Sequence, residues 1–235
     1  MKILSKMCAS ALLLTSTLYA SQAAYPGTSL TSQSGFGLNQ GQAFIGIGVT
    51  DKVNGKTNTT GAMVFGLGFG NSTKTVGFEV DTIISSIDTR DGGFGEDGNF
   101  NVKVHKLINS TTAISAGVEG IADWGTKYDG KSYYIALTKA FFMPNALIIG
   151  IGFGDGRFLD NNHQEDTVDA FASISYDITS RISAILDYTG GITKIGCSFV
   201  PFKDTPLVAT IYADDIAKHS GATATSASLT YALNY

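Results

Sequence analysis

The sequence predicts an all-β fold: an antiparallel transmembrane β-barrel of the outer-membrane type, with about twelve strands, behind a cleaved signal peptide. Three observations predict it. From about residue 41 onward, bulky apolar residues alternate with small or polar ones at a period of two, which is strand and not helix patterning. Charged residues make up only 15% of the chain while glycine reaches 28 of 235 residues, against roughly 25% charged and ~7% glycine in soluble domains. The links between alternating segments also sort into a longer or more polar set and a tight set, taken in turn along the chain, as in barrels with long external loops and short periplasmic turns.

The N-terminus reads as a secretory signal. Lys2 and Lys6 precede an apolar stretch from Ala9 to Ala20, with Ser21 and Ala23 at the small-residue positions of a cleavage site. The stretch is too short to span a bilayer as a helix, and "SKMC" ahead of the next residues lacks the spacing of a lipoprotein signal. The predicted organisation is a signal peptide at 1–23, a Gly- and Ser-rich stretch at 24–40 that is either a flexible leader or a plug, and a barrel at 41–235. Removing Lys2 and Lys6 takes the formal charge from −4 to −6, which excludes a basic nucleic-acid binder. Cys8 leaves with the signal and Cys197 is then alone, so no intramolecular disulfide forms.

The strands follow in order. "GQAFIGIGVT" alternates Ile45, Ile47 and Val49 with glycines, and "GAMVFGLGFG" does the same with Met63, Phe65, Leu67 and Phe69. Val76, Phe78 and Val80 interleave with Gly77, Glu79 and Asp81. The pattern continues through "NFNVKVHK", "TAISAGVEGIADW", "SYYIALTKAFF", "ALIIGIGFG", "TVDAFASISYD", "RISAILDYTG", "ITKIGCSFVPF" and "PLVATIYADD" to the terminal "SASLTYALNY". Tight links are expected at 71–73, 109–111, 143–145, 179–181 and 203–206. With both ends of the barrel on the tight-turn side, an even strand number closes without a leftover edge.

One parity of these strands is greasy and faces lipid; the other faces a lumen. The lumen-lining candidates are Glu79, Asp81, Lys103, His105 and Glu119, followed by Asp123, Asp169, Asp187 and Lys194. Glu79 and Asp81 would face Lys103 and His105 on the neighbouring strand as cross-strand pairs, or the acid excess would favour cations. Trp124, Tyr133, Phe141, Tyr231 and Tyr235 fall near strand ends, where amphipathic rings suit the membrane interface. The alternation ending on Tyr235 has the form of a C-terminal signal to the outer-membrane assembly machinery. Lys106 and Lys139 are expected on the lipid face beside tight turns, snorkelling to the interface.

Catalytic chemistry finds little support. His105 lies in a strand, and His163 and His219 in loops, with no serine at a spacing that suggests a hydrolase dyad. No catalytic residue is assigned, and the chain is not expected to be an enzyme; a lipid esterase is a remote reading. "GGFGEDGNF" is a single copy of a calcium-repeat-like unit, so Asp91 and Asp97 are only a weak metal pair and no cofactor is expected. "GLGFG" and "GIGFG" lie inside strands with no following helix, unlike phosphate loops.

Several segments together resemble outer-membrane barrels related to the YjbH-type proteins of exopolysaccharide gene clusters: "GQAFIGIGV", "VGFEVD", "FNVKVHKLI", "ISAGVEGIADWG", "GFGDGRF" and "AILDYTGGITKIGCSFVPFKDTPLVATIYADD". They cover most of residues 41–216. The resemblance implies a barrel assisting polysaccharide export or surface structure, and it brings no catalytic residues with it. The larger members carry further domains that this chain lacks, which puts an export role in doubt. The expectation is thus a bacterial outer-membrane barrel of the Gram-negative type, a narrow porin-like passage for small polar solutes or cations. The alternative is a closed structural or accessory barrel linked to surface polysaccharide. Its expected partners are outer-membrane lipid, lipopolysaccharide and the assembly machinery.

Overall fold

The computed structural model describes residues 25–51, 60–85, 87, 94–125, 130–160, 167–219 and 221–235. The signal peptide expected at 1–23 lies outside the described residues, as do Asp91 and His163.

Alternation yields the strands. They are β1 (Gln42–Thr50), β2 (Thr60–Gly70), β3 (Gly77–Ile84), β4 (Gly98–Asn109), β5 (Thr112–Trp124) and β6 (Ser132–Met143), then β7 (Asn145–Gly154), β8 (Asp169–Thr179), β9 (Ile182–Thr189), β10 (Ile192–Phe199), β11 (Leu207–Asp214) and β12 (Ala224–Asn234). Each pairs antiparallel with its chain neighbours, and β1 closes on β12, so the twelve strands form a complete barrel. Closure gives every strand two partners and removes the edges that an open sheet would expose. In the closing seam Gln42 lies opposite Asn234, Ile45 opposite Tyr231 and Thr50 opposite Ser226. The terminal alternation of "SASLTYALNY" is therefore the last stave of the barrel, and its neighbours are the first strand and β11.

The β4–β5, β6–β7 and β8–β9 turns are tight, as expected, while the β2–β3 and β10–β11 links run over 71–76 and 200–206, longer than the expected 71–73 and 203–206. All of them share one rim with the start of β1 and the end of β12. The other connections share the opposite rim, and the one at β9–β10 is short. There Gly190 and Gly191 both have positive φ, at 62° and 76°, as a two-residue type I′ hairpin requires. A Cβ on Gly190 would lie 2.8 Å from the Arg157 carbonyl oxygen, and one on Gly191 would lie 2.6 Å from the Asp160 carboxyl carbon. This short turn thus leaves room for residues 157–160 to pack against it. Gly191→Val should cost about 1–3 kcal/mol through backbone strain alone, read as a lower urea midpoint of unfolding.

The two faces separate as the pattern requires. Ile47, Phe65, Phe78, Ile135, Phe153, Ile174, Ile195 and Leu229 are all exposed on the outer surface. Glu79, Lys103, Ser115, Thr138, Ser175, Ser183, Asp187 and Ser226 are buried on the inner one. Among the described residues, no helix is long and apolar enough to cross a membrane, and the helical content is a 3-10 turn at Gly156–Phe158.

Candidate functional site: an occupied lumen

Register places the predicted wall residues. Glu79 on β3 lies opposite Lys103 on β4, and the Lys103 Nζ approaches its carboxylate at 3.5 Å. Asp81 lies opposite Asn101, whose amide donates to the Asp81 carboxylate at 2.6 Å. His105 lies opposite Gly77, and its ring fills the space a side chain would need at Gly77 or Gly37, with Cβ approaches of 2.4 and 2.6 Å. Glu119, Asp187 and Lys194 are buried inside as well. Lys194 lies opposite Asp187 in the β9–β10 register, yet its ion pair is with Asp214 at 3.7 Å. Two residues stand apart from this set. Asp169 is half-buried near the long-loop rim and accepts the Asp160 backbone N–H at 2.7 Å. Asp123 is exposed, opposite Asn99 and beyond an irregularity where Gly120 takes φ of 66°.

The wall does not surround empty space. Residues 25–40 run inside it as a hairpin-like loop whose two limbs start and end at the tight-turn rim. At one limb, the Gly27 N–H donates to Ser198 Oγ at 2.7 Å and its carbonyl accepts from Ser183 Oγ at 2.8 Å. At the other, the Asn39 side-chain oxygen accepts the Ser72 N–H at 2.6 Å, and the Gln40 N–H reaches the Gly70 carbonyl at 2.8 Å. The apex lies deep in the barrel at Asp187. One oxygen of that carboxylate accepts the consecutive backbone N–H groups of Leu30, Thr31 and Ser32 at 2.9, 3.2 and 3.0 Å. Thr31 Oγ1 also reaches its other oxygen, at 3.2 Å. Hydrogen bonds to a carboxylate are stronger than neutral ones, and buried amides must find acceptors, so Asp187 is the anchor of the segment.

The rest of the segment is held the same way. The Leu38 N–H donates to Glu79 at 2.8 Å, the Gly35 N–H to Thr138 Oγ1 at 2.8 Å, and Ser115 Oγ to the Ser34 carbonyl at 2.9 Å. Lys194 Nζ donates to Thr31 Oγ1 at 2.8 Å. Leu30 packs in a buried group with Ile185 and Tyr212, and Leu38 in one with Phe44, Ala62, Val64 and Ile83. Burial of such a side chain stabilises by about 1.5–3 kcal/mol, so these two leucines add apolar holding energy to the polar contacts.

From the opposite rim, residues 155–160, which follow β7, fold inward. Their 3-10 turn buries Phe158 completely, in a cluster with Tyr134, Ala136 and Phe171; the Phe158 and Phe171 rings stack at 4.7 Å. Arg157 forms a two-pronged pair with Glu119, one prong at 2.7 Å, and donates to the Thr31 carbonyl at 3.1 Å. Gln33 donates to the same Glu119 at 2.6 Å. Outer loop, wall and N-terminal segment therefore meet at one carboxylate. Sequence reasoning missed Arg157 and Phe158, which sit in a stretch without strand alternation. It also read the inner face as small and polar, whereas Phe44, Tyr134, Phe171 and Tyr212 are inward-facing and buried. Their bulk is accommodated by glycines on adjacent strands: a Cβ on Gly66 would meet the Phe44 ring at 2.3 Å, and one on Gly152 the Phe171 ring at 2.2 Å.

The remaining candidates lie outside this site. Tyr133, Phe141, Tyr231 and Tyr235 are exposed on the outer surface, and Trp124 packs tilted against Phe100 at 5.5 Å and donates to the Gly95 carbonyl. Lys106 and Lys139 are exposed near tight turns, Lys139 over the Phe141 ring at 5.1 Å. His219 pairs with Asp160 at 3.0 Å toward the long-loop rim. Asp97 is buried, and among the described residues no group of three His, Cys, Asp or Glu side chains could hold a metal ion. No family model matches the chain, and no curated protein matches it.

Proposed function

We propose that this chain is an outer-membrane β-barrel that stands closed at rest, serving as a structural or accessory barrel of the bacterial surface. The observation that carries the closed state is the meeting of Arg157, Glu119, Thr31 and Gln33 in mid-lumen. The membrane reading is supported by the outer belt of exposed Ile, Val, Leu and Phe side chains, far more than a soluble monomer leaves to water. Such a belt would be covered by lipid, with lipopolysaccharide around the long-loop rim. The last strand, carrying Leu229, Tyr231 and Leu233 outward, would be the element presented to the assembly machinery. A link to surface polysaccharide rests only on the resemblance of the quoted segments to YjbH-type barrels. An open porin-like passage is the second reading, favoured by the buried charges along the wall; with residues 25–40 in place it would carry no steady current.

The purified protein should run at a different gel mobility before and after heating, and should insert into planar bilayers without steady current steps. Steady steps from the unmodified, folded protein would sink the closed reading. Failure to associate with lipid at all would sink the membrane one.

A further inference from the structure

We infer that residues 25–40 form a displaceable latch, and that the lumen they vacate conducts cations; this rests on the reading of the chain as a closed membrane barrel. The topology of the segment allows it. Gly27 at one end and Gln40 at the other both sit at the tight-turn rim, against Ser198, Ser183 and Gly70 at strand ends. A loop whose two limbs leave by the same mouth withdraws as a unit, with no threading of the chain and no strand of the barrel disturbed.

The chemistry of the contacts points the same way. Residues 25–40, "YPGTSLTSQSGFGLNQ", carry no charged side chain. Besides the packed Leu30 and Leu38, they hold the wall through backbone amides and carbonyls, hydroxyls and the carboxamides of Gln33 and Asn39, polar contacts that water replaces when the segment leaves. The wall does carry charge. Its lysines have anionic partners, Lys103 with Glu79 and Lys194 with Asp214, and the wall's Glu119 pairs with Arg157 of the inward turn. Asp187 is held by the segment's own N–H groups and by the Thr31 and Thr189 hydroxyls, with Lys194 opposite it but paired to Asp214, and Asp81 is held by the Asn101 amide. Withdrawal strips Asp187 of those three amide donors and hydrates it in the passage. A carboxylate freed inside a narrow lumen attracts cations and repels anions.

The latch is tested by single-channel recording in a planar bilayer under a KCl gradient, on three proteins shown to be folded by heat-modifiable mobility. Asp187→Ala in the full-length protein should raise open probability roughly tenfold or more, in the range of a single coupling contact. Deletion of residues 25–38 should give sustained opening with a reversal potential on the cation side. The third protein carries Ser32→Cys and Thr189→Cys with Cys197→Ser; the two replaced hydroxyls lie 2.9 Å apart. Its oxidised form should be silent, and reduction should restore the rare openings of the parent. Folded Asp187→Ala and deletion variants as silent as the parent would overturn the inference. So would an oxidised cysteine pair that conducts, or opening with anion preference. All three proteins are also first shown to float with lipid vesicles in a density gradient, so failure of the latch is distinguishable from failure of the membrane reading.

Discussion

Replacing Arg157 with alanine is expected to lower the stability of the folded barrel by about 3–5 kcal/mol, the effect of removing one partner of a buried ion pair. Both side chains of the Arg157–Glu119 pair are largely buried. Without the guanidinium, Glu119 keeps the Gln33 amide as its hydrogen-bond donor among the described residues, and the Thr31 carbonyl loses its Arg157 contact. The change should appear as a lower urea midpoint in lipid vesicles. Adding Glu119→Gln to the alanine variant should recover much of the loss, because it removes the uncompensated charge. A shift of under ~1 kcal/mol would mean that water already screens the pair, and that the mid-lumen contact does not close the barrel.

Gly35→Val is expected to drive the N-terminal segment out of the lumen while leaving the barrel folded. A Cβ at Gly35 would lie 2.1 Å from the Ala113 carbonyl oxygen and 2.9 Å from the Thr138 nitrogen. Both atoms belong to backbone within the paired strands β5 and β6, so the wall cannot yield cheaply and the segment must move. In the folded wild-type protein residues 25–40 should resist a broad-specificity protease. In the variant they should be cut roughly tenfold faster or more, the factor that about 1.4 kcal/mol of lost holding energy implies, with the barrel's gel mobility retained. Wild-type protection in the variant would show that the contact relaxes in place.

The strands were legible because their signal is local. Ile45, Ile47 and Val49 face one way and Gly46 and Gly48 the other by the geometry of extended chain alone. The tight turns were legible for the same reason, since "NST", "MPN" and "TSR" interrupt the alternation where β4, β6 and β8 end. Parity also placed Glu79, Lys103, Glu119 and Asp187 on one face. Their partners were another matter. Glu79 and Lys103 could be paired from hairpin adjacency, but the partner of Glu119 is Arg157, in a loop 38 residues away.

By itself the sequence determined an all-β chain, the number and order of its strands and the two faces. All of these follow from a period of two and from short-range turn chemistry. The tertiary structure decided what fills the lumen. The Thr31 amide meets Asp187 across 156 residues, and an uncharged, aperiodic stretch such as 25–40 carries no mark of where its amides will find acceptors. Only closure of the β1–β12 seam brings that stretch, the inward loop and the charged wall together. The contents of a barrel are set by the ring as a whole, while each stave is set by its own residues.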